Sequence, residues 1–394
     1  MKALVITNLA PISSNLNSGI FIVRRLQKYE KFNVEFDVVS LSFEDNQLVL
    51  LIKKLLKKAT IDPKPVEEYE NIQFKIASIY RNMNSLLKEK FFNGYRITAK
   101  KYAVEIEKIL KIEDYDLIHA HGMFSIPAGL IAKILADKYD KPFVVSLHGD
   151  DINLLMPERR DIYVEVLEKA WTNIFVSNAL LEKAKSLGYS GKNGVVIPNG
   201  YNNEIFKPLV KKEIRNELKI YKDDYKYVGF VGYLVLVKRA DKLGEIFNLI
   251  AKECPKTYFI VVGDGPLREE IKKETEGLNI IFTGRISQQE VAKWMNAMDV
   301  MVLPSRQEGF GAVVIEAQAC GTCVIGSSNG GIPEAIGFPE YVVQEGENFE
   351  ERFAKKVVEV LVHGYDASKL IERSKEFTWR NIVEREIEVY RKIV

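Results

Sequence analysis

The sequence is poor in the side chains that build disulfides and metal centres: three cysteines and four histidines serve 394 residues. So few cysteines fit a reducing compartment. They leave the lone Cys320-Gly-Thr-Cys323 pair without support for zinc or redox use, and both cysteines read as small core residues. Charge of one sign is also missing. Lys and Arg total 56 against 54 Asp and Glu, a formal net charge of +2, which gives no global case for nucleic-acid binding. Long apolar runs are absent too, because Lys or Arg interrupts every candidate, so none reaches membrane-spanning length. The opening MKALVITNLA has too short an apolar run for a signal peptide and continues into a domain, so it reads as a first strand. The expectation is a cytoplasmic protein.

What is present is the balance of an ordinary soluble chain, 47% apolar and 28% charged, long enough for two domains. The pattern alternates strand and helix. Ala3–Thr7 reads as a buried strand entering a polar turn with Ser18 and Gly19, followed by helical spacing from Phe21, the phosphate-approach layout of doubly wound folds. Further strands fall at Val34–Ser40, Asp116–Ala120, Phe143–Leu147, Ile174–Ser177 and Val195–Pro198. A second series runs through Val228–Val231, Tyr258–Val262, Asn279–Thr283, Val300–Leu303 and Cys323–Ile325. Two βα halves argue for two Rossmann-like domains. Three of the four histidines, His119, His121 and His148, sit at carboxyl ends of these strands, where α/β sheets place ligands. His119 is read equally as a structural cap. Asp150-Asp151 hints at a metal but lacks a supporting cluster. Residues 47–111 are less regular, and 53–111 carry fourteen Lys or Arg against seven Asp or Glu. This basic run, with its amphipathic Leu48–Leu56 and the pair Phe91-Phe92, is either solvated surface or a docking face for an anionic membrane.

The chemistry concentrates in Leu303–Ile336. Pro304 ends a strand, Glu308 lies in a glycine-punctuated turn, and a helix begins at Ala312 whose first-turn N–H groups form an anion site. Glu316 follows eight residues after Glu308. That spacing suits a long ligand better than the close carboxylate pair of a retaining glycosidase: Glu308 at its reacting end, the helix start at its phosphates, Glu316 further along. A nucleotide sugar has that order.

At these residues, E308-GFGAVVI-E316, then A319-CGTCVI and G330-GIPE, the sequence resembles the retaining glycosyltransferases of family 4, with the GT-B fold. The resemblance covers nearly the whole chain and is strongest over 228–336. It implies an acceptor-side domain at 1–204, a nucleotide-sugar domain at 205–375 facing it across a cleft, and a terminal helix in 376–394 crossing back. It implies a metal-independent hexosyltransferase that retains anomeric configuration, with no cofactor. Its partners would be a UDP-, GDP- or ADP-linked sugar and an acceptor glycan or glycolipid. Glu308, His121 and Lys238 are the implied catalytic residues. Gly19, His148, Arg239, Arg285, Gly309, Phe310, Gly311, Ala312, Val313 and Glu316 are the implied donor contacts. The family usually carries Arg where Tyr233 stands, so Arg239 is the candidate to share the diphosphate with Lys238. Gly263-Asp264-Gly265-Pro266 resembles the family's turn signature, with Asp264 read as a helix cap. A non-catalytic nucleotide-sugar-binding protein and a GT-B epimerase remain as alternatives.

Overall fold

The computed structural model of the chain describes residues 1–16, 18–55, 64–84 and 94–394. It divides into two compact units, Met1–Pro198 with Ile382–Val394, and Asn199–Asn381. Phe91-Phe92 and part of the basic run lie outside the described residues.

Among the described residues, the first unit is built on eight strands. Their spatial order is Glu68–Tyr69, Ile72–Arg81, Glu35–Asp45, Lys2–Thr7, Leu117–His121, Phe143–Leu147, Thr172–Phe175 and Gly194–Val196. All neighbours pair in parallel except the first two, which form an antiparallel edge hairpin. Parallel strands covered by helices on both faces read as continuous apolar runs; Ala3–Ile6 is fully buried. Chain order reverses between Lys2–Thr7 and Leu117–His121. Such a switch point opens a ligand crevice outside the carboxyl ends of the strands.

The strand Ile72–Arg81 and the helix Gly94–Ile109 lie where the sequence offers no regular pattern by charge. Along IQFKIASIYR buried and open positions nearly alternate, a period-two signal hidden beneath the surrounding lysines. The amphipathic stretch forms the helix Gln47–Leu55.

The second unit holds six strands, all parallel. Their order is Ile280–Gly284, Thr257–Val262, Lys226–Val231, Val300–Leu303, Cys323–Ser327 and Val342–Val343. Phe230, Phe247, Phe259, Val302 and Phe353 form part of its core, and Cys320 and Cys323 are buried free thiols. Its switch point falls between Lys226–Val231 and Val300–Leu303. The loops that leave those two strands carry Lys238 and Glu308.

Candidate active site

In the second unit Pro304 follows the strand, and the chain turns through Gly311 at φ 90° into the helix Ala312–Ala319. The leading N–H groups of that helix have no acceptor within it, and its dipole favours an anion there. Glu308 lies in the turn with its side chain 10% exposed and ion-paired to Lys238. It also accepts a hydrogen bond from Ser305 Oγ at 3.0 Å. A second loop presses on this one, with Gly331 N donating to Glu308 O at 3.1 Å. A Cβ on Gly331 would stand 2.4 Å from Gly309 O, so only glycine allows the two backbones to approach this closely. Glu316 stands one turn into the helix, and burial pushes its carboxyl up to about 7. Among the described residues that carboxyl has no hydrogen-bond partner.

The sequence places Arg239 beside Lys238 as a second cation, but the structure commits it elsewhere. Its guanidinium donates to both carboxylate oxygens of Glu345, at 2.7 and 2.8 Å, and stacks 3.9 Å from the Phe349 ring centroid. Burial selects this: a guanidinium at 7% exposure needs a carboxylate partner. Tyr233 and Arg285 are exposed. Asp264 does not cap a helix; its Oδ1 accepts from Gly265 N at 2.9 Å, and Leu267 is the N-cap of Arg268–Glu274. The acid therefore stiffens the turn. Phe310 is buried and stacks on Phe377.

In the first unit His121 ends its strand, with His119 two residues earlier on the same face, and His148 follows Phe143–Leu147. The His119 and His121 ring centroids lie 4.2 Å apart. His121 and His148 stack at 5.5 Å, with Nδ1 of the first 3.3 Å from Nε2 of the second. Burial, ahead of the Arg25 charge, pulls His148 down to about 3; burial likewise holds His119 and His121 well below the usual histidine value. All three are neutral near pH 7. In a neutral pair sharing one hydrogen bond, one outer nitrogen carries a proton and the other a lone pair. Those outer atoms, His121 Nε2 and His148 Nδ1, are buried without a hydrogen-bond partner among the described residues. A hydroxyl, both donor and acceptor, complements them.

Asp151 explains how His148 is held. It is fully buried and accepts from His148 N at 3.1 Å, Gly149 N at 2.9 Å and Ile152 N at 3.0 Å. Sequence reasoning weighs Asp150-Asp151 as a metal hint and misses this role; the available signal is an Asp closing a turn onto the preceding amides. Gly19 also has a backbone reason. It sits at φ 62°, and a Cβ there would fall 1.3 Å from Leu9 O. Beside the switch point is a cavity of about 240 Å³ lined by Asn8, Ser40, Ser42, Arg81 and Ser125 among others.

Two doubly wound parallel sheets, with loops of this kind at their switch points, define a two-domain nucleotide-binding architecture of Rossmann type. Known proteins narrow the class. The model for "Glycosyl transferases group 1" matches residues 225–363, and that for "Glycosyltransferase Family 4" matches 81–204. TuaC of Bacillus subtilis, named for teichuronic acid biosynthesis, is 30% identical over 353 residues, covering 87% of this chain and 85% of its own. An uncharacterized glycosyltransferase of Methanocaldococcus jannaschii is 29% identical, covering 85% and 89%. Among solved structures, Anabaena HepE in complex with UDP superposes with a TM-score of 0.71 at 18% identity, covering 100% of both chains. Sucrose-phosphate synthase from Thermosynechococcus elongatus gives 0.72 at 19%, covering 100% of this chain and 99% of that one. The fold is GT-B. This chain belongs to the family 4 glycosyltransferases.

Proposed function

We propose that the protein moves a hexosyl group from a nucleotide sugar to an acceptor hydroxyl, with retention of configuration and without a divalent metal. One observation carries the reading: Lys238 and Glu308 meet beside the N-terminus of the helix that bears Glu316. Lys238 and the helix start take the diphosphate, whose leaving oxygen gains charge in the transition state. Glu308 accepts from the sugar hydroxyls and Glu316 from the ribose. Support for the ligand class comes from HepE, solved with UDP and with UDP-glucose. His121 and His148 bind a hydroxyl of the sugar or acceptor. No side chain here is placed as a nucleophile. The bond from the anomeric carbon to the diphosphate oxygen breaks, the acceptor oxygen bonds to the same face, and its proton passes to the leaving phosphate. Lys238 and the helix start supply the positive charge that a divalent metal would otherwise provide.

The acceptor is a glycan or glycolipid, and we place docking on an anionic membrane among the functions of the first unit. The helix Gln47–Leu55 exposes Leu48, Leu51 and Leu55 at 51%, 54% and 74%, with Lys54 exposed beside them. Apolar residues at i, i+3 and i+7 flanked by cations complement a negative lipid surface. Among the described residues, no helix is long and apolar enough to cross a membrane.

Incubation with UDP-, GDP- and ADP-sugars in the presence of chelator tests the reaction. The expected result is release of nucleoside diphosphate and a glycoside of unchanged anomeric configuration by NMR. Isomerised donor without glycoside would instead mean an epimerase, and binding without release a non-catalytic receptor.

A further inference from the structure

A buried polar chain links the last helix, Trp379–Arg391, to the histidine cluster. Arg25 and Glu386, both fully buried, are ion-paired at 2.6 Å. Tyr29 OH donates to Glu386 Oε1. Tyr29 and Tyr390 hydroxyls lie 2.8 Å apart, Tyr390 OH contacts His119 Nδ1, and His119 Nε2 lies 2.8 Å from Ser146 Oγ.

The protons in this chain have one consistent order. Glu386, paired with Arg25, can only accept, so the Tyr29 proton points to it. Tyr29 oxygen is then free to accept, and the 2.8 Å contact with Tyr390 needs a hydrogen between the oxygens. Tyr390 supplies it, with Glu386 Oε1 a second, longer acceptor at 3.4 Å, and in either case that proton is directed away from His119. The Tyr390 oxygen must then accept from His119, which places the imidazole proton on Nδ1 and leaves Nε2 to accept from Ser146. If Tyr390 donated to His119 instead, the two tyrosine oxygens would face each other lone pair to lone pair. A buried contact of that kind costs the full desolvation of both groups.

We infer that Glu386 and Tyr390 are positioning residues for glycosyl transfer: they fix the tautomer and the plane of His119, against which the His121 ring is packed. This rests on the proposed transferase reading. His119 is held at both nitrogens and cannot rotate, and its ring packs against His121, which in turn stacks on His148. The carboxylate on the helix thus sets the orientation of the His121–His148 pair without touching a substrate. Burial keeps His119 neutral, so it does not place a positive charge beside His121.

Two measurements test the inference. Nitrogen-15 histidine NMR on the full chain, with His119 assigned by its loss in His119→Gln, should show the proton on Nδ1. A proton on Nε2 overturns the relay whether or not the protein is a transferase. Second, Tyr390→Phe keeps the ring and the Arg25–Glu386 pair but removes the acceptor for His119. Its kcat for transfer should fall about tenfold or more, with KM for the nucleotide sugar unchanged. Ile387→Val, a buried neighbour on the same helix, should lower the melting temperature and leave kcat alone. Equal kcat in Tyr390→Phe and wild type overturns the positioning role. A wild type that turns over no sugar nucleotide defeats the transferase reading and leaves the tautomer result to judge the relay.

Discussion

Lys238 and Glu308 form an ion pair without a ligand, although in the proposed reaction one takes the diphosphate and the other the sugar. A donor must therefore part them, and the carboxylate opposes the arrival of a bare diphosphate. Glu308→Gln is expected to bind free nucleoside diphosphate more tightly than wild type, by about fivefold if the pair is worth near the top of the range for partly exposed ion pairs, while transfer collapses. Calorimetry decides; equal or weaker binding would mean that the donor leaves the pair intact. Lys238→Ala should cost on the order of 3 kcal/mol in the barrier. Glu316 makes a pH prediction. Its folded-state pKa is raised by burial from 4.5 to about 7, so the native state holds a proton that the unfolded chain releases. The protein is thus unburdened below about pH 4.5 and loses stability as pH rises through 7, by up to about 3 kcal/mol at 1.36 kcal/mol per unit. Below about pH 6.5 the three buried neutral histidines pull the other way, so the effect is read as a difference: in melting curves of the ligand-free proteins between pH 5.5 and 8.5, wild type should lose stability relative to Glu316→Gln as pH rises to about 7. An unchanged slope in the mutant would assign the effect elsewhere.

Between elements, the closest tolerance is the contact of the two glycine loops in the second unit. Gly331 has an ordinary negative φ of −81°, so Gly331→Ala tests space rather than backbone strain. The added carbon meets a carbonyl, not a side chain that can swing aside, and the Glu308 turn must shift. A loss of about a hundredfold in kcat/KM is expected, as a displacement near 1 Å at a reacting group costs that much. Wild-type kinetics would show the turn to be more pliant than its packing. On the helix Gln47–Leu55, Leu51→Glu should abolish sedimentation with anionic liposomes at low salt and leave transfer to a soluble acceptor unchanged. No sedimentation of wild type would leave those leucines without a membrane role. The elements differ in how far the sequence reveals them. Val300–Leu303, Cys323–Ser327 and the Ala312 helix start are legible because buried parallel strands are unbroken apolar runs punctuated by Pro and Gly. Ile72–Arg81 is not, because the lysines around it suggest surface while its alternation specifies a strand. Lys238 and Glu308 stand out by motif. The Arg239–Glu345 pair does not, since partners 106 residues apart leave no local trace.

Across the whole molecule, the first unit is discontinuous: the chain leaves it after Pro198 and returns at Ile382. Where the chain enters and leaves the second unit, its two ends are bound to each other. Tyr201 N donates to Phe377 O at 2.9 Å, and Trp379 N to Tyr201 O at 3.3 Å. The second unit is therefore an insertion with paired ends, the arrangement in which an inserted domain is best tolerated by its host. A single proteolytic cut on either connection should leave the two units joined by the other, whereas cutting both should release the second unit. Size-exclusion chromatography of nicked protein checks this, and separation after a single cut would contradict it.

Glu386 lies 361 residues from Arg25 and 357 from Tyr29, which turns a spatial contact into an order of events. A ribosome working at roughly 5–20 residues per second completes the second unit before the last helix emerges. Until then Arg25 and Tyr29 lack the Glu386 carboxylate, and His119 lacks the Tyr390 hydroxyl. Nascent chains stalled short of Ile382 should hold nucleoside diphosphate yet transfer no sugar, so the order of synthesis delays turnover until the chain has closed on its own beginning.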